Sequence, residues 1–131
     1  MLWRHHHSDL MMKTSLSDKL LIFKLNRSLE ERESILSATQ FAWILSPERA
    51  KKAEYVLAVN RQGLIIGVFV AKKWLRATSD NFPGMPSYNS KRWGFTGKEA
   101  PPEVSRKYLN YRIPADLRKW GTANPVRFVN I

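Results

Sequence analysis

Two β-rich runs, Glu54–Asn60 and Leu64–Trp74, stand on either side of Arg61-Gln62-Gly63, and this arrangement constrains the fold more than any other feature of the chain. A short connection carrying glycine where a positive φ is needed joins neighbouring antiparallel strands, so a hairpin lies at the centre of the fold. Gly67, inside the second run, brings no side chain to the packing. It marks a bulge, a close approach of another backbone, or room for a tryptophan.

The segments around this hairpin alternate between strand and helix signals. Leu20 to Leu25 is a short apolar run with the length of a buried strand. Ser28 and Glu31 form a capping box, and the stripe Leu29, Leu36 and Trp43, with Ile35 and Ala42 beside it, predicts a helix running to about Leu45. Ser46-Pro47 opens a further helical turn or two from Glu48 to Ala53. Arg76 to Ser90 has no periodic apolar pattern and reads as a long loop, with Phe82, Met85 and Tyr88 as its anchors on the core or as a stacking surface. In Lys91 to Gly97, Trp93 and Phe95 alternate with Arg92, Gly94 and Thr96, which predicts a strand with one buried face. Pro101-Pro102-Glu103 opens a short helix through Leu109. Asn110–Ile113 reads as a short strand, Ala115–Trp120 as a helical turn and Pro125–Ile131 as a last strand.

The expected architecture is therefore α+β, with a bent antiparallel sheet or partial barrel of about five strands flanked by two or three helices. At 131 residues the chain supports one ordinary core. Residues 19–131 are read as a single domain and residues 1–18 as a disordered lead. His5, His6 and His7 in that lead resemble an expression scar or upstream read-through more than a metal site, since no second ligand cluster follows.

The chain contains no cysteine, which removes disulfides, thiolate nucleophiles and zinc ribbons by inventory. Its longest apolar run, Leu64 to Ala71, is eight residues and is broken by Gly67, whereas a membrane span needs about 20. A cytoplasmic protein without a membrane partner is expected.

Charge points to a partner. The net charge is +11, and residues 72–131 hold twelve Lys/Arg against four Asp/Glu, while residues 1–71 hold ten against seven. Concentrated positive charge draws in polyanions through counterion release, so DNA or RNA is the expected partner of the C-terminal half. Lys72, Lys73, Arg76, Lys91 and Arg92 flank the 76–90 loop and are expected to surround one opening, with Trp74 or Tyr88 as stacking surfaces and Arg112 and Arg127 extending the footprint.

Catalysis finds less support. Every histidine lies in the lead, which excludes a triad built on a core imidazole. The acids of the C-terminal half, Asp80, Glu99, Glu103 and Asp116, show no nuclease-like spacing, although a spatial cluster that includes Glu54 stays open. No catalytic residue, metal site or cofactor is assigned.

Trp43, the run Ala53–Val59, Gly67-Val68-Phe69 with Trp74, Arg92–Gly97 and Asn124–Asn130 together resemble an uncharacterised bacterial domain. That domain forms the C-terminal part of LEM-3-like GIY-YIG domain-containing proteins, and the resemblance covers about residues 20–130. It implies a nuclease-associated accessory domain of bacterial or phage type. The catalytic GIY-YIG half is absent, and Thr39-Gln40-Phe41 stands where the family pattern carries Thr-Arg-Gly. Three readings follow: a non-catalytic nucleic-acid-binding module, a protein-interaction or inhibitor module with an apolar patch at Phe82, Met85 and Tyr88, and an enzyme acting on a nucleotide or nucleic acid through residues from distant segments.

Overall fold

The Arg61-Gln62-Gly63 connection makes the hairpin turn expected of it. Gly63 has φ +82°, and the Asn60 side-chain Oδ1 accepts hydrogen bonds from the backbone N–H groups of Gln62 and Leu64, both at 3.0 Å. This geometry comes from a computed structural model that describes residues 18–25, 34–87, 91–114 and 125–131. The lead through Ser17, the capping box at Ser28 and Glu31, Leu29, Tyr88 and the turn Ala115–Trp120 lie outside the described residues.

Among the described residues, six strands form one sheet: β1 (Leu20–Lys24), β2 (Trp43–Ile44), β3 (Tyr55–Val59), β4 (Ile65–Arg76), β5 (Arg92–Glu99) and β6 (Val126–Val129). Their order is β2-β5-β4-β3-β1-β6. Three helices accompany them: α1 (Ile35–Gln40), α2 (Pro47–Ala50) and α3 (Pro102–Tyr108). The result is a single α+β domain built on a nearly closed, barrel-like sheet.

One pairing departs from the antiparallel expectation. β1 runs parallel to β3, with Leu20 opposite Tyr55 and Lys24 opposite Val59. Parallel neighbours need a long crossover, and the segment that carries α1, β2 and α2 supplies it. Both strands are consequently covered on both faces. Leu20, Ile22, Leu57 and Val59 pack on one side with Tyr108 of α3, Ala100 and Ile113. Leu21, Phe23, Val56 and Ala58 pack on the other with Ala38 of α1, Ala50 of α2, Trp43 and Phe95.

The expected helix through Leu45 ends five residues early. Ser34 caps α1 by accepting from the Ser37 N–H at 3.0 Å, and the chain becomes extended at Phe41, with φ −152° and ψ 136°. Trp43 then enters the sheet opposite Trp93, and its indole N–H donates to the Thr39 carbonyl at 2.7 Å, which satisfies one of the free acceptors at the helix end. The period-seven spacing of Leu36 and Trp43 reflects two elements that face one core, not one helix.

Glycine shapes β4 twice. The β3–β4 register slips next to Gly67, where an added Cβ would lie 2.7 Å from the Phe69 ring and 2.9 Å from Ile35. The space that sequence reading offered to a tryptophan thus goes to phenylalanine and isoleucine. Further along, the β4–β5 register slips between Ala71 and Lys73, and a Cβ on Gly97 would stand 2.1 Å from the Val70 carbonyl oxygen.

The start of the domain is clamped at Asp18, the last residue of the expected lead. Its carboxylate accepts from the Lys107 ammonium at 2.7 Å and from the Tyr108 hydroxyl, while its carbonyl accepts from Asn130 at 2.8 Å. Burial opposes ionisation of Asp18, but the hydrogen bonds from Lys107 and Tyr108 and the ammonium charge outweigh it and hold the carboxyl below its ordinary value. Burial, with the adjoining Asp18 carboxylate, pushes the Tyr108 phenol well above its own.

Candidate nucleic-acid interface

The bulge in β4 creates an open cationic feature. Because Ala71 faces Gly97 and Lys73 faces Thr96, Lys72 is the extra residue without a partner on β5. A bulge redirects side chains away from strict alternation, and both Lys72 and Lys73 are exposed. They line a cleft of about 340 Å³ together with Lys51, which caps α2, and with Ala50, Ala53 and Trp74.

Ser46 and Pro47 fix α2 in this position. The Ser46 hydroxyl accepts from the Arg49 N–H at 3.3 Å, and Arg49 places its guanidinium 4.2 Å from the Phe128 ring centroid on β6. Lys51 pairs with Glu48 at 3.4 Å, but both side chains are largely exposed, and such a pair is worth little against a competing anion. Lys72 and Lys73 have no ion pair among the described residues.

The other expected site residues disperse. Trp74 sits 5.1 Å from Phe95 and 6.4 Å from Phe23, so most of its ring belongs to the core and only its rim reaches the cleft. Arg76 lies opposite Trp93, with its guanidinium 5.7 Å from that ring. Arg92 is half-buried and donates to the Ala42 carbonyl at 3.0 Å, which ties β5 to the end of α1. Lys91 is exposed just before β5. Arg127 is half-buried on β6 opposite Ile22. Arg112 stands at a different cleft, where its Nε and Nη2 donate to the Gln62 carbonyl at 3.3 and 3.0 Å. Strand pairing sets Arg76 beside Trp93, next to Lys91 and Arg92, whereas Lys72 and Lys73 line the cleft at α2 and Arg112 lines a different one.

As far as Ser87, the loop after β4 is anchored rather than splayed. Phe82 is 9% exposed and meets Phe41 edge-on at 5.1 Å, above buried Ala77, with Met85 packed alongside. Phe82 and Met85 thus pack against the core, while Tyr88, the third residue of the expected apolar patch, lies outside the described residues. Glu54, the acid left open for a metal cluster, instead accepts from the backbone N–H of Lys19 at 3.1 Å. Among the described residues, no three His, Asp or Glu side chains gather closely enough to hold a metal ion, and no helix is long and apolar enough to cross a membrane.

Sequence reading passed over Lys51, Lys24 and Arg61. The Lys51-Lys52 doublet after the Ser46-Pro47 helix start was a visible signal for the first. Lys24 and Arg61 carry none beyond their charge, since only the parallel pairing of β1 with β3 brings them together. Comparison with protein-family models, with characterised proteins and with solved structures finds no match.

Proposed function

We propose that this protein is a non-catalytic nucleic-acid-binding module that holds backbone phosphates at the cleft between α2 and β4. The convergence of Lys51, Lys72 and Lys73 from two elements, with no carboxylate in the cleft lining, is the observation that supports this reading. Ammonium groups on long stems neutralise phosphates as point charges and carry no base preference, which suits sequence-tolerant binding. The rim of Trp74 adds an apolar surface beside them. The net charge of +11 strengthens encounter with any polyanion. A module of this kind supplies nucleic-acid affinity to a catalytic partner, as the resemblance to a nuclease-associated domain implies.

The test is binding of the full chain to labelled single- and double-stranded DNA and RNA across a salt series, with Lys72→Ala/Lys73→Ala in parallel. Affinity should fall steeply with salt, and the double variant should lower the logarithmic salt slope by about 1.4 on single strands and about 1.8 on duplex DNA, the values expected for two lost phosphate contacts. No binding at low salt, or an unchanged slope in the variant, would remove this function from the cleft.

A further inference from the structure

A second cationic cleft lies beyond the carboxyl ends of the parallel strands β1 and β3. Its walls are Lys24, the last residue of β1, the turn Asn60 to Gly63, and Arg112, which faces Leu64 across an isolated bridge. No carboxylate lines it, and Lys24, Arg61 and Arg112 have no ion pair among the described residues. The crevice past the carboxyl ends of parallel strands is also where open α/β sheets place their ligands.

Asn60 and Arg112 leave donors available to this cleft. Both backbone bonds to Asn60 go to its Oδ1, so the rest of that amide is a donor. Arg112 is held rigid by its two bonds to the Gln62 carbonyl, which use Nε and Nη2 and leave Nη1 for a ligand. The backbone behind it is pinned as well: the Ile113 N–H donates to the Gly63 carbonyl and the Ile65 N–H to the Tyr111 carbonyl, each at 2.9 Å. Three cations gathered on a rigid frame repel one another, and an anion accepting from all of them relieves that repulsion. The cleft holds about 260 Å³, below the range of roughly 300–1,000 Å³ typical of sites for whole drug-sized ligands.

We propose that the Lys24–Arg61–Arg112 cleft binds a phosphate group. A tetrahedral oxyanion presents acceptors in several directions at once, which matches donors arriving from β1, the turn and the Arg112 segment. The proposal does not rest on the nucleic-acid reading of the α2–β4 cleft. The phosphate belongs either to the end of a nucleic-acid strand or to a small phosphorylated molecule.

An NMR titration of the full chain with inorganic phosphate, at ionic strength held constant with chloride, tests it. The backbone amides of Gln62 and Gly63 and the Arg112 Nε–H should shift saturably. Lys24→Gln/Arg61→Gln should weaken the affinity at least about tenfold, since each loses a charge-assisted bond. Lys98→Gln, at an exposed lysine of β5 outside both clefts, should leave it unchanged. Shifts that never saturate, or saturation indifferent to Lys24→Gln/Arg61→Gln, overturn the proposal. A second arm compares an oligonucleotide carrying a 5′-phosphate with its 5′-hydroxyl twin. Preference for the phosphorylated strand, lost in Lys24→Gln/Arg61→Gln, identifies a strand end as the source. Saturation by phosphate with equal affinity for the two strands identifies a small phosphorylated molecule.

Discussion

Phe23 and Trp43 stack face to face, with ring centroids 4.3 Å apart and planes 6° from parallel, although β5, β4 and β3 separate their strands in the sheet. Four strand spacings of about 4.8 Å would hold them roughly 19 Å apart in a flat sheet. The contact therefore records how tightly the sheet curls, and it seals the concave core. Phe23→Ala should cost about 3–5 kcal/mol in urea denaturation. Trp43→Phe keeps the stack but strands the Thr39 carbonyl, and should cost about 1–3 kcal/mol.

The β4 bulge depends on a bare backbone at position 97. In Gly97→Ala the new methyl must move the Val70 carbonyl away from 2.1 Å, so the strands separate or lose the bulge. A destabilisation of about 1–3 kcal/mol is expected. Because the bulge sets Lys72 apart from its neighbours, nucleic-acid affinity should fall in the same variant even where it remains folded, as a fluorescence-anisotropy titration would read.

The Phe82 ring anchors the loop after β4 to the core, beside hydrogen bonds from Asn81 to the Arg76 carbonyl and between Ser79 and Ser87. Phe82→Ala should leave the sheet in place yet raise amide exchange at Phe82 and Met85, whose N–H groups bond the Thr78 and Phe82 carbonyls at 2.9 and 3.0 Å. Exchange at native rates in this variant would mean that the loop's hydrogen bonds hold it without the ring.

The Asp18–Tyr108 clamp acts on both limbs of the stability profile. Asp18 ionises below the ordinary carboxyl value near 4, so its contribution is complete above that pH and is lost as pH falls through the lower native value. Tyr108 ionises above the ordinary phenol value near 10, so its contribution is complete below pH 10 and is lost as pH rises beyond it. Thermal melts across pH should show a shallower acid limb in Asp18→Asn and a shallower alkaline limb in Tyr108→Phe. A wild-type slope in either variant would place that limb elsewhere.

Local chemistry was legible wherever it acts over a few residues. Gly63 closes the hairpin as its turn position demands, Ser46-Pro47 starts α2, and the proline-led segment from Pro101 becomes α3. The candidate site was legible in part: Lys72, Lys73 and Trp74 do share a cleft, whereas Arg76, Arg92 and Arg112 each go to a different neighbour.

Turn geometry, apolar period and composition belong to neighbouring residues, so the α+β class, the central hairpin and the excess of positive charge could be read directly from the chain. The parallel run of β1 beside β3, the departure of Trp43 from the helix to the sheet, and the grouping of the cations emerge from packing. Those outcomes depend on burial shared between segments far apart in the chain. Leu20 to Phe23 are fully buried on both faces of β1, and an apolar run of that kind has no alternation from which a partner or a direction could be read.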